Sequence, residues 1–137
     1  MSKESEIKKL EQGRAEYAYR CVEQVTYKLN EKGKREYRSY VKKIPTMILL
    51  NGLGQTLAFV KAKAKDGNAY KLLYNQITEY MKSNSTIRIQ MPPDKNELIE
   101  WVISCDSREY RWITQELLAF LNWLKRFAEG MIEEEEE

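Results

Sequence analysis

The sequence predicts an all-α fold, a single-domain bundle of about six helices. Three observations predict it. Glycine and proline are scarce, 6 and 3 among 137 residues. Apolar side chains recur at threes and fours along most of the chain, the period of a helix with one buried face. Two Asp-x-x-Glu spacings, Asp94 with Glu97 and Asp106 with Glu109, have the form of capping boxes, in which one acid caps free N–H groups and the other reaches back.

The first helix is carried by Ile7, Leu10, Tyr17, Ala18, Cys21, Val25 and Leu29, and should end near Asn30, before a Lys32-Gly33-Lys34 turn. Tyr37, Tyr40, Val41, Ile44 and Ile48 make the second, which Pro45 should kink or divide at Ile44 because proline has no N–H to donate. After the Asn51-Gly52 break, Leu53, Leu57, Val60 and Ala64 share a third face, with Lys61 and Lys65 one turn apart. Asp66-Gly67-Asn68 is a turn and cap, and Ala69 to Met81 follows the helical pattern closely as a fourth helix. Ile87, Ile89 and Met91 alternate with polar residues up to Pro92-Pro93, which reads as a short extended stretch. The two capping boxes then start a short fifth helix, Lys95 to Ser104, and a long sixth, Ser107 to Met131.

Residues 1–132 form the predicted domain, and Glu133 to Glu137 are expected to form an acidic, solvated and disordered tail. The N-terminus is polar and charged, and the longest aliphatic run, Met47 to Leu50, is far too short to span a bilayer, so a cytoplasmic protein without membrane contact is expected. Cys21 and Cys105 lie far apart and read as two buried thiols; a disulfide between them would require a hyperthermophilic source.

Net charge is only +2, but residues 1–70 carry 15 Lys/Arg against 8 Asp/Glu, whereas residues 71–137 carry 8 against 13. Setting aside the glutamate run leaves 23 basic residues against 16 acidic ones, a balance that suits a polyanionic partner. The chain contains no histidine. That removes Ser–His and Cys–His nucleophilic pairs, imidazole acid/base chemistry and the commonest metal ligand. No cofactor, metal site or catalytic residue is expected, because the acids sit mostly at helix starts or on solvent faces. Gly52-Leu53-Gly54-Gln55-Thr56 lacks the ending of a phosphate loop and a strand before it, and marks a close helix junction instead.

Two basic surfaces are candidates for binding. On the last helix Arg108, Arg111, Gln115, Asn122 and Arg126 fall on one side, flanked by Trp112 and Trp123, three turns and roughly 16 Å apart. Guanidinium groups, amides and flat rings in one row suit single-stranded nucleic acid, held by phosphate contacts and stacking; the alternative is that both tryptophans pack inward. From Lys28 to Lys43 there are seven Lys/Arg, including Arg38, Lys42 and Lys43, and two acids. With Lys61 on the next helix they make a patch that backbone phosphates would neutralise; the alternative is a solvated face. Arg14 lies inside the apolar stripe of the first helix, where it either pairs with an acid or offers its fork to a partner.

Several stretches carry a resemblance: Leu10-Glu11-Gln12 with Arg14-Ala15 and Tyr17-Ala18-Tyr19; Tyr40-Val41-Lys42-Lys43-Ile44-Pro45; Met47-Ile48-Leu49; Asn51-Gly52-Leu53 through Gln55-Thr56-Leu57-Ala58-Phe59; and Leu121-Asn122-Trp123-Leu124-Lys125-Arg126-Phe127-Ala128. In this order and spacing the chain resembles the small helical subunit of the Cmr complex, the type III-B CRISPR effector. The resemblance implies a non-catalytic, RNA-binding subunit that stacks with copies of itself into a minor filament. Its partners would be the other Cmr subunits, the guide RNA and the single-stranded target RNA, with cleavage left to other subunits. It points to Lys42, Lys43, Lys125 and Arg126 as RNA-facing, and to Arg14 and Trp123 as interface residues; Trp112, which projects like Trp123 from the last helix, is a further interface candidate from its position alone. Two readings of another class stand against it: a protein–protein adaptor with no direct RNA contact, and a ribonuclease built on carboxylates.

Overall fold

The computed structural model describes residues 3–83, 86 and 88–134. Among them are six helices and no strand: α1 (Lys3–Lys28), α2 (Glu31–Asn51), α3 (Leu53–Lys63), α4 (Ala69–Lys82), α5 (Leu98–Ser104) and α6 (Ser107–Met131). The all-α prediction holds, element for element. α1 and α2 both lie along α6, while α3 and α4 pack on each other and on α2, and α5 braces α3.

The anticipated Lys32-Gly33-Lys34 turn is instead the first turn of α2. Asn30 adopts an extended conformation and its side chain accepts from the Gly33 N–H at 2.8 Å, so the helix starts at the cap and glycine is carried inside it. Pro45 does not divide α2 either, which runs unbroken from Glu31 to Asn51. Proline leaves the Val41 carbonyl without its i+4 donor, but Pro45 itself is buried beside Ile44 and Ile48, and packing offsets one missing hydrogen bond. α3 ends at Lys63, which leaves Lys65 beyond the helix.

The two capping boxes differ. At α6, Asp106 accepts from the Glu109 N–H at 2.8 Å and the Glu109 carboxylate accepts from the Asp106 N–H. At α5 the box is absent and the helix begins three residues late, at Leu98. Glu97 is committed elsewhere: its carboxylate accepts from the Tyr74 hydroxyl and pairs with Lys61. Of the predicted extended stretch, Ile87 lies outside the described residues, as do Glu135 to Glu137 of the predicted tail. Met91 is fully buried and its N–H donates to the Met81 carbonyl at 2.8 Å, tying the segment to the end of α4.

The core runs through all six helices. At its centre Tyr80 stacks on Phe120 with ring centroids 3.9 Å apart, and Tyr17 meets both edge-on at 5.2 and 5.9 Å. Such pairs each add about 0.5–1.5 kcal/mol beyond the area they bury. Gln76, 4% exposed, ties three helices together: it accepts from the Tyr37 hydroxyl and donates to the Cys21 carbonyl and the Gln24 side chain. Cys21 is buried as predicted, whereas Cys105 is partly exposed, and both are free thiols. Among the described residues no helix is long and apolar enough to cross a membrane.

Candidate nucleic-acid interface

The basic stripe of α2 follows from the face the helix buries. Tyr37, Val41, Ile44 and Ile48 point into the core, so residues one position off that face stand at its edge and those opposite stand in solvent. Lys42 and Lys43 are exposed, and neither makes an ion pair or hydrogen bond among the described residues. Arg38, one turn earlier, is more enclosed, its side chain 18% exposed; its Nη1 lies 3.8 Å from Glu134 Oε1 and its Nε is buried without a hydrogen-bond partner. Lys34 pairs with Glu31 at 2.9 Å.

On α6 the polar row is present: Arg108, Arg111, Gln115, Asn122 and Arg126 are all exposed. At its start the Arg108 guanidinium lies over the Trp112 ring, 4.7 Å from the centroid, an arrangement stabilised by the ring's negative face. Arg111 has no ion pair among the described residues. At the other end Asn122, Trp123, Lys125 and Arg126 surround an open depression of about 660 Å³ with Glu11 of α1. Trp123 is half-buried; its Nε1–H donates to Glu11 at 3.1 Å and its ring stacks on Phe127 at 5.7 Å. Arg126 is within 3.8 Å of Glu129, an exposed pair worth little in water.

Two further predicted residues are engaged within the fold. Lys61 is 2.9 Å from Glu97; burial alone would raise the Glu97 carboxyl, but hydrogen bonds from Tyr74 and Lys61 hold it below its ordinary range. Arg14 takes the paired arrangement. Its Nε donates to Glu116 Oε2 at 2.8 Å and its Nη2 to the other oxygen at 3.3 Å, while Nη1 reaches Glu11. Burial would depress the guanidinium, but the Glu116 hydrogen bonds and charge outweigh it and hold the pKa above normal.

Sequence reading missed Glu116, a buried acid among carboxylates that are mostly solvated. It also missed an open groove of about 880 Å³, where Arg20, Lys28, Lys61, Lys71 and Lys82 gather beside the exposed Tyr27. These cations come from three helices, and no spacing along the chain announces that they converge. Among the described residues no three His, Cys, Asp or Glu side chains stand close enough to hold a metal.

The family described as "CRISPR-associated protein (Cas_Cmr5)" matches residues 10–131, nearly the whole helical body. A Thermus thermophilus protein, "CRISPR system Cmr subunit Cmr5", is 32% identical over 118 residues, 86% of this chain and 94% of that one. The crystal structure of a CRISPR-associated Cmr5 family protein, also from Thermus thermophilus, superposes with a TM-score of 0.71 at 30% identity, covering 90% of this chain and 97% of the other.

Proposed function

The chain belongs to the CRISPR-associated Cmr5 family, and from that premise we propose that it is a non-catalytic subunit of an RNA-guided Cmr complex that helps hold the guide RNA–target RNA duplex through a basic surface. It works in the cytoplasm, stacked with copies of itself beside the other Cmr subunits, and contributes to antiviral defence. The observation that carries the reading is the pair Lys42 and Lys43: adjacent, exposed, and without an internal acid to neutralise them among the described residues. Phosphates supply what the fold withholds. Lys125 and Arg126 add a second cationic edge beside Trp123.

The chemistry expected of such a subunit is uniform. Lysines and arginines that meet phosphates fix position and register without reading bases, and repetition along a duplex multiplies weak contacts through effective concentration. Base pairing between guide and target supplies the sequence information. The absence of histidine supports a holding role over a cutting one.

The test is recovery of tagged protein from native lysate. RNA and Cmr subunits should copurify, with less RNA when Lys42 and Lys43 are both replaced by Glu. Purified chain incubated with labelled RNA and a divalent metal should leave the RNA intact; robust turnover contradicts the reading.

A protein–protein role has its own observation. Leu49 and Leu50 are 73% and 78% exposed just before the Gly52 junction, and Ile103, 67% exposed, abuts Gly54 on the far side of that junction. Apolar side chains of this size in one neighbourhood suit a protein contact. An adaptor that used this patch alone would bind its partners equally well after the lysines were reversed.

A further inference from the structure

The groove between α1 and α4 carries charge that the fold does not use. Five cations line it against two acids, Glu79 and Glu97, and Lys61 already takes Glu97 at 2.9 Å. Arg20 pairs with Glu16 at 2.6 Å, but both side chains are well exposed, so water weakens that contact. The side chains of Lys28, Lys71 and Lys82 make no ion pair among the described residues.

Helical period sets these groups in two rows. On α1, Arg20, Gln24, Tyr27 and Lys28 share one face, and on α4, Lys71, Asn75, Thr78 and Lys82 do. Gln76 bonds to the Cys21 carbonyl and to Gln24, and Tyr17 meets Tyr80, so the two helices run antiparallel. Lys28 therefore stands at the Lys71 end of the groove and Arg20 at the Lys82 end. The rows from Arg20 to Lys28 and from Lys71 to Lys82 are about 12 and about 16 Å long. Charge thus sits at both ends, with the amides of Gln24 and Asn75 between. Tyr27 decides the kind of polyanion, because its ring is 75% exposed at the edge of the groove. Bases inside a duplex are already stacked and cannot use that ring, whereas an unpaired base can stack on it and turn its edge to the exposed Asn75. An acidic peptide would meet the cations and leave the ring idle.

We propose that this groove is a second RNA site, which takes an unpaired single strand with its phosphates on Lys28, Lys71 and Lys82 and a base on Tyr27. The inference rests on the reading of the chain as an RNA-holding subunit. It adds a surface separate from Lys42, Lys43, Lys125 and Arg126, none of which lines the groove. One copy thus holds paired RNA on α2 and unpaired RNA between α1 and α4.

The experiment measures anisotropy of a labelled oligouridylate, long enough to reach both surfaces, on the full chain and its variants. Tyr27→Ala should weaken binding about fivefold or more and leave the slope of log K against log salt unchanged, because no phosphate contact is lost. Lys28→Glu with Lys82→Glu should flatten that slope by about 1.4, or about 0.7 for each contact on a single strand. Both losses should persist in a chain that also carries Lys42→Glu and Lys43→Glu. On the unaltered protein, thiouridine placed in the oligouridylate should cross-link to Tyr27 or its neighbours in the groove. Cross-links confined to other surfaces overturn the inference, whatever the variants do. Full affinity in Tyr27→Ala overturns it too, as does an oligoglutamate peptide that fills the groove as tightly as the RNA, which makes it a dock for acidic protein. If only Lys42→Glu and Lys43→Glu weaken binding, this site fails and the α2 reading stands. If no variant moves RNA affinity, both fail.

Discussion

Arg14 and Glu116 join the first and last helices, with Nε 2.8 Å from Oε2 across 102 residues of sequence. Glu116 is 5% exposed and also accepts from the Tyr80 hydroxyl at 2.7 Å, so one carboxylate ties α1, α4 and α6 at the centre of the bundle. Taking one partner from a buried pair leaves an uncompensated charge, at a cost of about 3–5 kcal/mol. Glu116→Ala and Arg14→Met should each fall in or near that range by urea unfolding, with the double variant well short of their sum. Additive losses would show that the two residues do not act as a pair.

The capping difference gives a contrast within one protein. Asp106→Ala should cost about 1 kcal/mol, since its side chain caps α6. Asp94→Ala, with the same sequence spacing but no cap formed at α5, should stay within about 0.5 kcal/mol of wild type. Equal losses in thermal unfolding would contradict the assignment.

Gly52 adopts φ 88°, a region where a side chain strains the backbone, and closes α2 through its N–H to the Ile48 carbonyl at 2.9 Å. Gly52→Ala should destabilise by about 1 kcal/mol or more. Gly54 has an ordinary conformation, but its N–H donates to the Tyr110 hydroxyl at 2.8 Å. Tyr110→Phe should therefore cost about 1 kcal/mol and, by loosening the α3–α6 junction, expose the Gly54 amide to faster hydrogen exchange. Unchanged exchange at Gly54 would contradict the bond's role.

Stability should collapse at alkaline pH. Burial pushes the Cys21 thiol from 9.0 to about 12 and the Tyr17 hydroxyl from 10.0 to about 12, and burial together with the Glu116 hydrogen bond raises Tyr80. The folded state keeps protons that the unfolded chain gives up, so this stability is fully present below pH 9 and is lost as pH rises between about 9 and 12. Urea midpoints that stay flat across that window would contradict the burial of these groups.

Much of the fold was legible in the chain because helical period and capping are local signals. Leu73, Ile77, Tyr80 and Met81 mark α4, and Asp106 with Glu109 marks the start of α6, from spacing alone. The misreadings share a cause: a distant partner redirected a local signal. Glu97 looked like half of a capping box but serves Tyr74 and Lys61; Pro45 looked like a break but fills a core position; Gly33 looked like a turn but is capped by Asn30. The candidate surfaces were legible in part. The polar row of α6 and the Lys42–Lys43 pair lie on single helices, so their faces follow from period. The groove that gathers Arg20, Lys28, Lys71 and Lys82 exists only once α1, α3 and α4 are assembled.

The central claim, that exposed cations of α2 hold RNA by its phosphates, is tested most directly by the salt dependence of RNA binding by the chain with Lys42→Glu and Lys43→Glu. Each lost phosphate contact on a single strand should flatten the slope of log K against log salt by about 0.7, so the pair should weaken binding and reduce the slope by about 1.4. An affinity and slope indistinguishable from wild type would contradict the account and leave the protein–protein role in its place.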